Sequence, residues 1–158
     1  MYPIRHALES SKTPLDTAPT APPAAVDLDT AAVAKALGYG GRINGGVYQV
    51  GVARNEKIME GGHEVPSSMG LATSINFQPT GGGKAAITGD FVMIGSEVNA
   101  VIRTLRDNGI AVAALHSHLI DETPRLYFMH FWANDDAIKL ARGLNAALAE
   151  TNSVKPRS

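Results

Sequence analysis

The sequence predicts an α+β fold, an antiparallel sheet with helices packed on one face, and three observations carry that prediction. From Val47 to Ile94, runs of β-compatible residues are separated only by glycine-rich turns. The apolar period then lengthens, with Val98, Val101, Ile102 and Leu105 at helical spacing. Two more extended runs follow, and a last amphipathic segment closes the order. Strands, helix, two strands, helix is not the βαβ rhythm of a parallel sheet.

Residues 1–26 mix Pro3, Pro14, Pro19, Pro22 and Pro23 with Ser, Thr and Ala. They hold too little apolar material to offset the entropy of ordering, so a disordered tail is expected. A single domain is expected over 27–150, with a flexible C-terminal tail over 151–158. Asp29 is placed to cap a helix over 30–37, and Gly38 to close it. Asn44-Gly45 suits a type I′ turn leading into a strand over 47–53. Residues 57–66 read as a strand broken at Gly61-Gly62. A better pair is 70–78 with 84–94, joined by Pro79-Thr80-Gly81-Gly82-Gly83.

Ser96 and Gly109 bound the next helix. Strands are expected over 110–118 and 125–132. Asn134 is expected to cap the final helix, with Asp135 and Asp136 in its first turn and a stripe of Ala137, Leu140, Ala141, Leu144 and Leu148.

Bulk properties remove several function classes. The chain has 158 residues, the size of one domain, and a formal charge of −1. Its basic residues form no stripe, so nucleic acid is not an expected partner. No apolar run reaches the roughly 20 residues of a membrane span. With no cysteine, disulfides and thiolate metal sites are excluded. No secretory leader is legible, so the chain as written is expected in the cytoplasm, and exported if a leader has been removed.

The chemistry concentrates at His116, His118 and His130. Residues 116 and 118 share a strand face. If 119–125 turn the chain back, His130 comes down opposite His118, and three imidazoles converge. A three-histidine set leaves a coordination position open, as in catalytic zinc sites. The expected cofactor is a divalent transition metal, with zinc first. Glu122 is the candidate fourth ligand or general base, acting on a water whose pKa zinc lowers to about 7; Asp121 is its rival. Arg125 and Trp132 are candidate substrate contacts, and His63 a candidate extra ligand from a distant loop.

A single strand histidine is usually a satisfied polar or surface residue; three in this arrangement shift the balance towards metal. Phe128 and Trp132 share the face of His130, while Tyr127, Met129 and Phe131 read as core on the other. Asp90 and Glu97 read as turn and capping residues. Gly81-Gly82-Gly83-Lys84 is not a phosphate loop, because the first glycine is missing and Ala85 replaces the magnesium-holding Ser/Thr.

Several segments in one order resemble the LppY/LpqO family of uncharacterised bacterial proteins. They include Gly45-Gly46-Val47-Tyr48, Val52-Ala53-Arg54-Asn55, Gly89-Asp90-Phe91-Val92, Ala114-Leu115-His116-Ser117-His118 and Phe128-Met129-His130-Phe131-Trp132. The resemblance runs from about Val33 to Leu148. It implies exported lipoproteins and frequent two-unit chains, and hence a homodimer for the single unit present here. It implies no reaction. His116-x-His118-xxx-Glu122 also matches half of the cupin metal motif, but Met129 stands at a glycine position and no second motif follows.

The function expected from these residues is a small metal-binding protein with a three-histidine site on a β-hairpin, with metal-dependent hydrolysis as its candidate reaction. The alternative is a noncatalytic module whose histidines grip a small ligand or partner without metal.

Overall fold

The computed structural model describes residues 3–12 and 25–156. The expected α+β fold is present. Its elements are α1 (Pro3–Ser10), α2 (Thr30–Leu37), β1 (Arg42–Asn44), β2 (Val47–Val52), β3 (Ile58–Glu60) and β4 (His63–Val65), followed by β5 (Thr73–Gly81), β6 (Lys84–Ile94), α3 (Val98–Asp107), β7 (Ala111–His116), β8 (Leu126–Asp136) and α4 (Ala137–Ala149). Six strands make one sheet in the order β1-β2-β5-β6-β8-β7, and β3 and β4 form a separate ribbon. Every strand pairing in both is antiparallel.

Alternation along the strands sends Ile75, Phe77, Ile87, Phe91, Met129 and Phe131 to one face, where Val33, Leu37, Leu105, Leu140, Leu144 and Leu148 of the helices pack on them. Gly143 allows the close approach of α4 to α3: a Cβ there would stand 2.7 Å from the Asn108 side chain. The opposite face is largely open. The β3–β4 ribbon covers one end of it through a second core of Ile58, Leu71, Val92, Leu126 and Phe128. Among the described residues, no helix is long and apolar enough to cross a membrane.

Local chemistry explains most boundaries. Asp29 accepts the Ala32 N–H at the start of α2, and Gly38 closes the helix at φ 81°. The β1–β2 turn falls on Gly45-Gly46, one residue later than Asn44-Gly45, with φ of 57° and 84°. A type I′ turn needs both central residues there, and two glycines adopt it without strain.

Three expectations are corrected. Within the expected N-terminal tail, α1 forms and is exposed, with Arg5 paired to Glu9 one turn on; residues 13–24 lie outside the described residues. The C-terminal segment is docked where a flexible tail was expected. Ser153 bridges to Arg54, Val154 N–H donates to Ala53 O, and Thr151 and Ser153 are buried. Finally, α4 is capped by Asp136, which accepts from the Lys139 N–H, and not by Asn134. β8 runs on through Asn134 because Ala86, Ala85 and Lys84 of β6 keep pairing with it.

Gly89 lies at the centre of the sheet, where a Cβ would meet Ser74 O at 1.9 Å. Gly89→Ala must therefore part β5 from β6. An expected loss of about 1–3 kcal/mol, the range for overpacked interiors, is checked by urea denaturation. An unchanged midpoint would show that the strands can separate there freely.

Candidate functional site

The histidines sit on the open face, at the border of the second core. β7 and β8 pair with His116 opposite Phe128, Leu115 opposite Met129 and Ala114 opposite His130. His130 therefore does not face His118, as the hairpin reading expected. The register is displaced by four positions because residues 117–125 form a wide loop and not a tight return. Four is even, so the displacement keeps His116 and His130 on the same face.

His118 lies beyond the end of β7, and its ring stacks on Phe128 with centroids 3.5 Å apart and planes at 12°. From there its Nε2 stands 3.1 Å from His116 Nε2. The His116 and His130 rings are stacked, with centroids 4.9 Å apart. The structure thus brings all three histidines together by a different route from the one expected.

Asp90, read from sequence as a turn residue, is the register partner of His130 and belongs to this cluster. Its Oδ1 is in ion-pair contact with His130 Nδ1, and this oxygen is buried without a well-aligned hydrogen bond. Gly89 O lies 3.4 Å from the same ring nitrogen. Two acceptors at Nδ1 favour the tautomer that carries its proton there, which leaves Nε2 as the free lone pair. Desolvation against its neighbours, then the charge of His116, holds His118 below the ordinary histidine pKa, with Asp90 opposing. Among the described residues, no group of three or more His, Asp or Glu side chains is arranged to hold a metal ion.

Glu122 has a structural position. Its side chain is fully buried, Oε1 accepts the Leu126 N–H at 2.9 Å, and Oε2 faces Arg125 at 3.4 Å. Both oxygens face groups of the loop itself, a structural position for the residue that the sequence offered as general base or fourth ligand. Arg125 donates to Leu119 O and Ile120 O and so braces the same loop. Met59 exchanges both backbone hydrogen bonds with Thr123, which ties the loop to β3. Asp121 is exposed in that loop. His63 is exposed on β4 opposite Glu60. Trp132 is 52% exposed and lies two residues beyond His130 on the same strand face.

The model of a family described as Domain of Unknown Function (DUF1259) matches residues 31–150. The chain belongs to this family. No curated protein and no solved structure matches it. The matched stretch of the DUF1259 domain runs from the second residue of α2 through α4 and contains all four residues of the histidine–aspartate cluster.

A second buried polar group in the DUF1259 domain was not anticipated as a unit. Arg54, 7% exposed, donates to Glu97 at 2.7 and 3.0 Å, to Glu56 at 2.8 and 3.0 Å, and to Val92 O at 2.8 Å. Glu97 also accepts the N–H groups of Ile94 and Asn152. Every direction of the guanidinium fork is used, so the group reads as a clasp between β2, the start of α3 and the C-terminal segment. The sequence signal was an arginine directly after an apolar strand, a place where a cation is kept only if it is paired.

Proposed function

We propose that the DUF1259 domain binds a divalent transition metal, zinc first, through the Nε2 atoms of His116, His118 and His130. The observation that carries the reading is the opposed Nε2 pair at 3.1 Å. Two nitrogens held about 2.0–2.1 Å from one zinc ion stand roughly 3.3 Å apart at the tetrahedral angle. The His130 ring is stacked on His116 with centroids 4.9 Å apart, and metal binding would require its Nε2 to turn towards the same point. Asp90 then occupies the place of the carboxylate that orients a ligating histidine.

Three protein ligands leave a position for substrate, and a metal there supplies a Lewis acid for hydrolysis of an ester or amide. The chain's own residues fix the rest. Phe128 holds the His118 ring, Asp90 and Gly89 O set the His130 tautomer, and Glu122 with Arg125 holds the loop that carries His118. The resemblance to the LppY/LpqO family supports a further proposal, a homodimer in solution, which sedimentation velocity tests directly.

The test of the metal site is metal analysis of protein purified without a histidine tag. A stoichiometric transition metal, or its uptake on reconstitution, is expected. Protein that holds none and takes up none would end the reading. Asp90→Asn is expected to lower zinc affinity about 10- to 100-fold, the usual cost of losing such an orienting partner, measured by competition with a chromophoric chelator. Affinity equal to wild type would remove Asp90 from the site.

One observation favours a metal-free ligand module. His116 and His118 already satisfy each other by a direct N···N hydrogen bond. Under that reading, alanine at the histidines leaves metal content unchanged and abolishes ligand binding.

A further inference from the structure

We propose that the open face of the six-stranded sheet is a carbohydrate-binding surface that seats a neutral sugar ring on Trp132. The register places Gln49, Asn76, Thr88 and Trp132 in one row across four strands. The next row on the same face carries Asp90 and His130. The surface therefore adjoins the histidine cluster but does not depend on a metal there.

Four features of the row and its surroundings select the ligand. Trp132 is 52% exposed, so a flat aromatic surface is left open to solvent at the edge of a trough of about 400 Å³. That volume lies within the range of small-molecule sites, roughly 300–1,000 Å³. Val47 and Ala86 give the trough an aliphatic floor, which suits the C–H face of a pyranose lying on an indole.

The polar groups are carboxamides already oriented by their neighbours. Asn44 Nδ2 donates to Gln49 Oε1, Gln49 Nε2 to Asn76 Oδ1, and Asn76 Nδ2 to Thr88 O. Each amide keeps unused donor or acceptor capacity, which matches hydroxyls that both donate and accept. From Gln49 to Trp132 the row contains no charged side chain, and Arg42 stands only at its far end opposite Gln49. A phosphorylated ligand or a nucleic acid would require cations within the row, and a sugar acid would too.

The chain has one tryptophan, so tryptophan fluorescence, excited where tyrosine does not absorb, reports on Trp132 alone. The full chain, with and without chelator, is titrated with neutral disaccharides of hexose, N-acetylhexosamine and pentose units, and with glucuronate and inorganic phosphate. At least one neutral sugar is expected to shift the emission to the blue and to protect it from acrylamide, saturably and with chelator present.

Asn76→Ala is expected to weaken that sugar about tenfold, the equivalent of one good hydrogen bond, with an unchanged melting temperature. Trp132→Ala should abolish binding by calorimetry. No saturable response to any neutral sugar would overturn the proposal, as would equal responses to glucuronate or phosphate. Protection of Trp132 that grows with protein concentration and needs no sugar would assign the face to a second copy of the chain. Metal content is read separately, so failure of the sugar site and failure of the metal site are distinguishable.

Discussion

Alanine at His118 is expected to remove most zinc binding, and the His116→Ala/His118→Ala double variant to remove it entirely. The physical reason is the opposed Nε2 pair: in the proposed site each imidazole would supply one of three bonds, and the ligands left would no longer outcompete water. His118 is the sharper test because, among the described residues, its ring is held by stacking on Phe128 and by His116. Folding should survive, since His118 is exposed. His6→Ala is the silent control, in α1 and outside the family match. Glu122→Gln is the informative one: the amide keeps an acceptor for the Leu126 N–H, so zinc affinity should stay near wild type. Calorimetric titration of zinc into each apo variant decides. Undiminished affinity in the double variant would refute the site.

Arg54→Met is expected to be the most destabilising single change in the chain, by about 3–5 kcal/mol, the usual effect of breaking a buried ion pair. The loss leaves Glu97, whose side chain is 11% exposed, as a carboxylate without its cation. Against a total stability on the order of 5–15 kcal/mol, that brings the domain close to unfolding. Urea denaturation measures it, and a change within about 0.5 kcal/mol, the scale of ordinary surface substitutions, would show that the clasp is not structural.

The same cluster sets an acid limit. Burial alone would raise the Glu56 carboxyl, but hydrogen bonds from Arg54 and Asn152 overcome it and hold the carboxyl below its usual value. A folded pKa lower than the unfolded one means that Glu56 stabilises the fold above the ordinary carboxylate range. That contribution disappears as pH falls through the folded value. Glu56→Gln should therefore lie below wild type in stability at pH 7, and the two curves should converge in acid.

How far the sequence revealed this molecule depended on whether the deciding interaction was local. Asp29 and Gly38 bracket α2 as read, because a cap and a left-handed glycine act within one turn. Asn134, Asp135 and Asp136 are equally good caps by chemistry, and only the pairing of β6 with β8 selects the last. The histidine face was legible from the period of two. The register was not, because the width of the 117–125 loop is set by the buried Glu122 and by Met59 on another strand pair.

Asp90 was missed for a related reason. Its partner lies 40 positions along the chain, and an aspartate after glycine looks like a turn. Its signal was its place inside an eleven-residue strand, where aspartate is disfavoured unless something holds it there.

The Arg54 clasp also orders events in time. Asn152 donates its N–H to Glu97 and its carbonyl accepts the Asn55 N–H, so residues 97 apart in sequence complete one cluster. A chain growing on the ribosome can form β2, β5 and β6 early, but this cluster stays incomplete until residue 152 has emerged. Until then Glu97 lacks one of its donors, and the nascent sheet waits for its last residues to close the knot of charge at its edge.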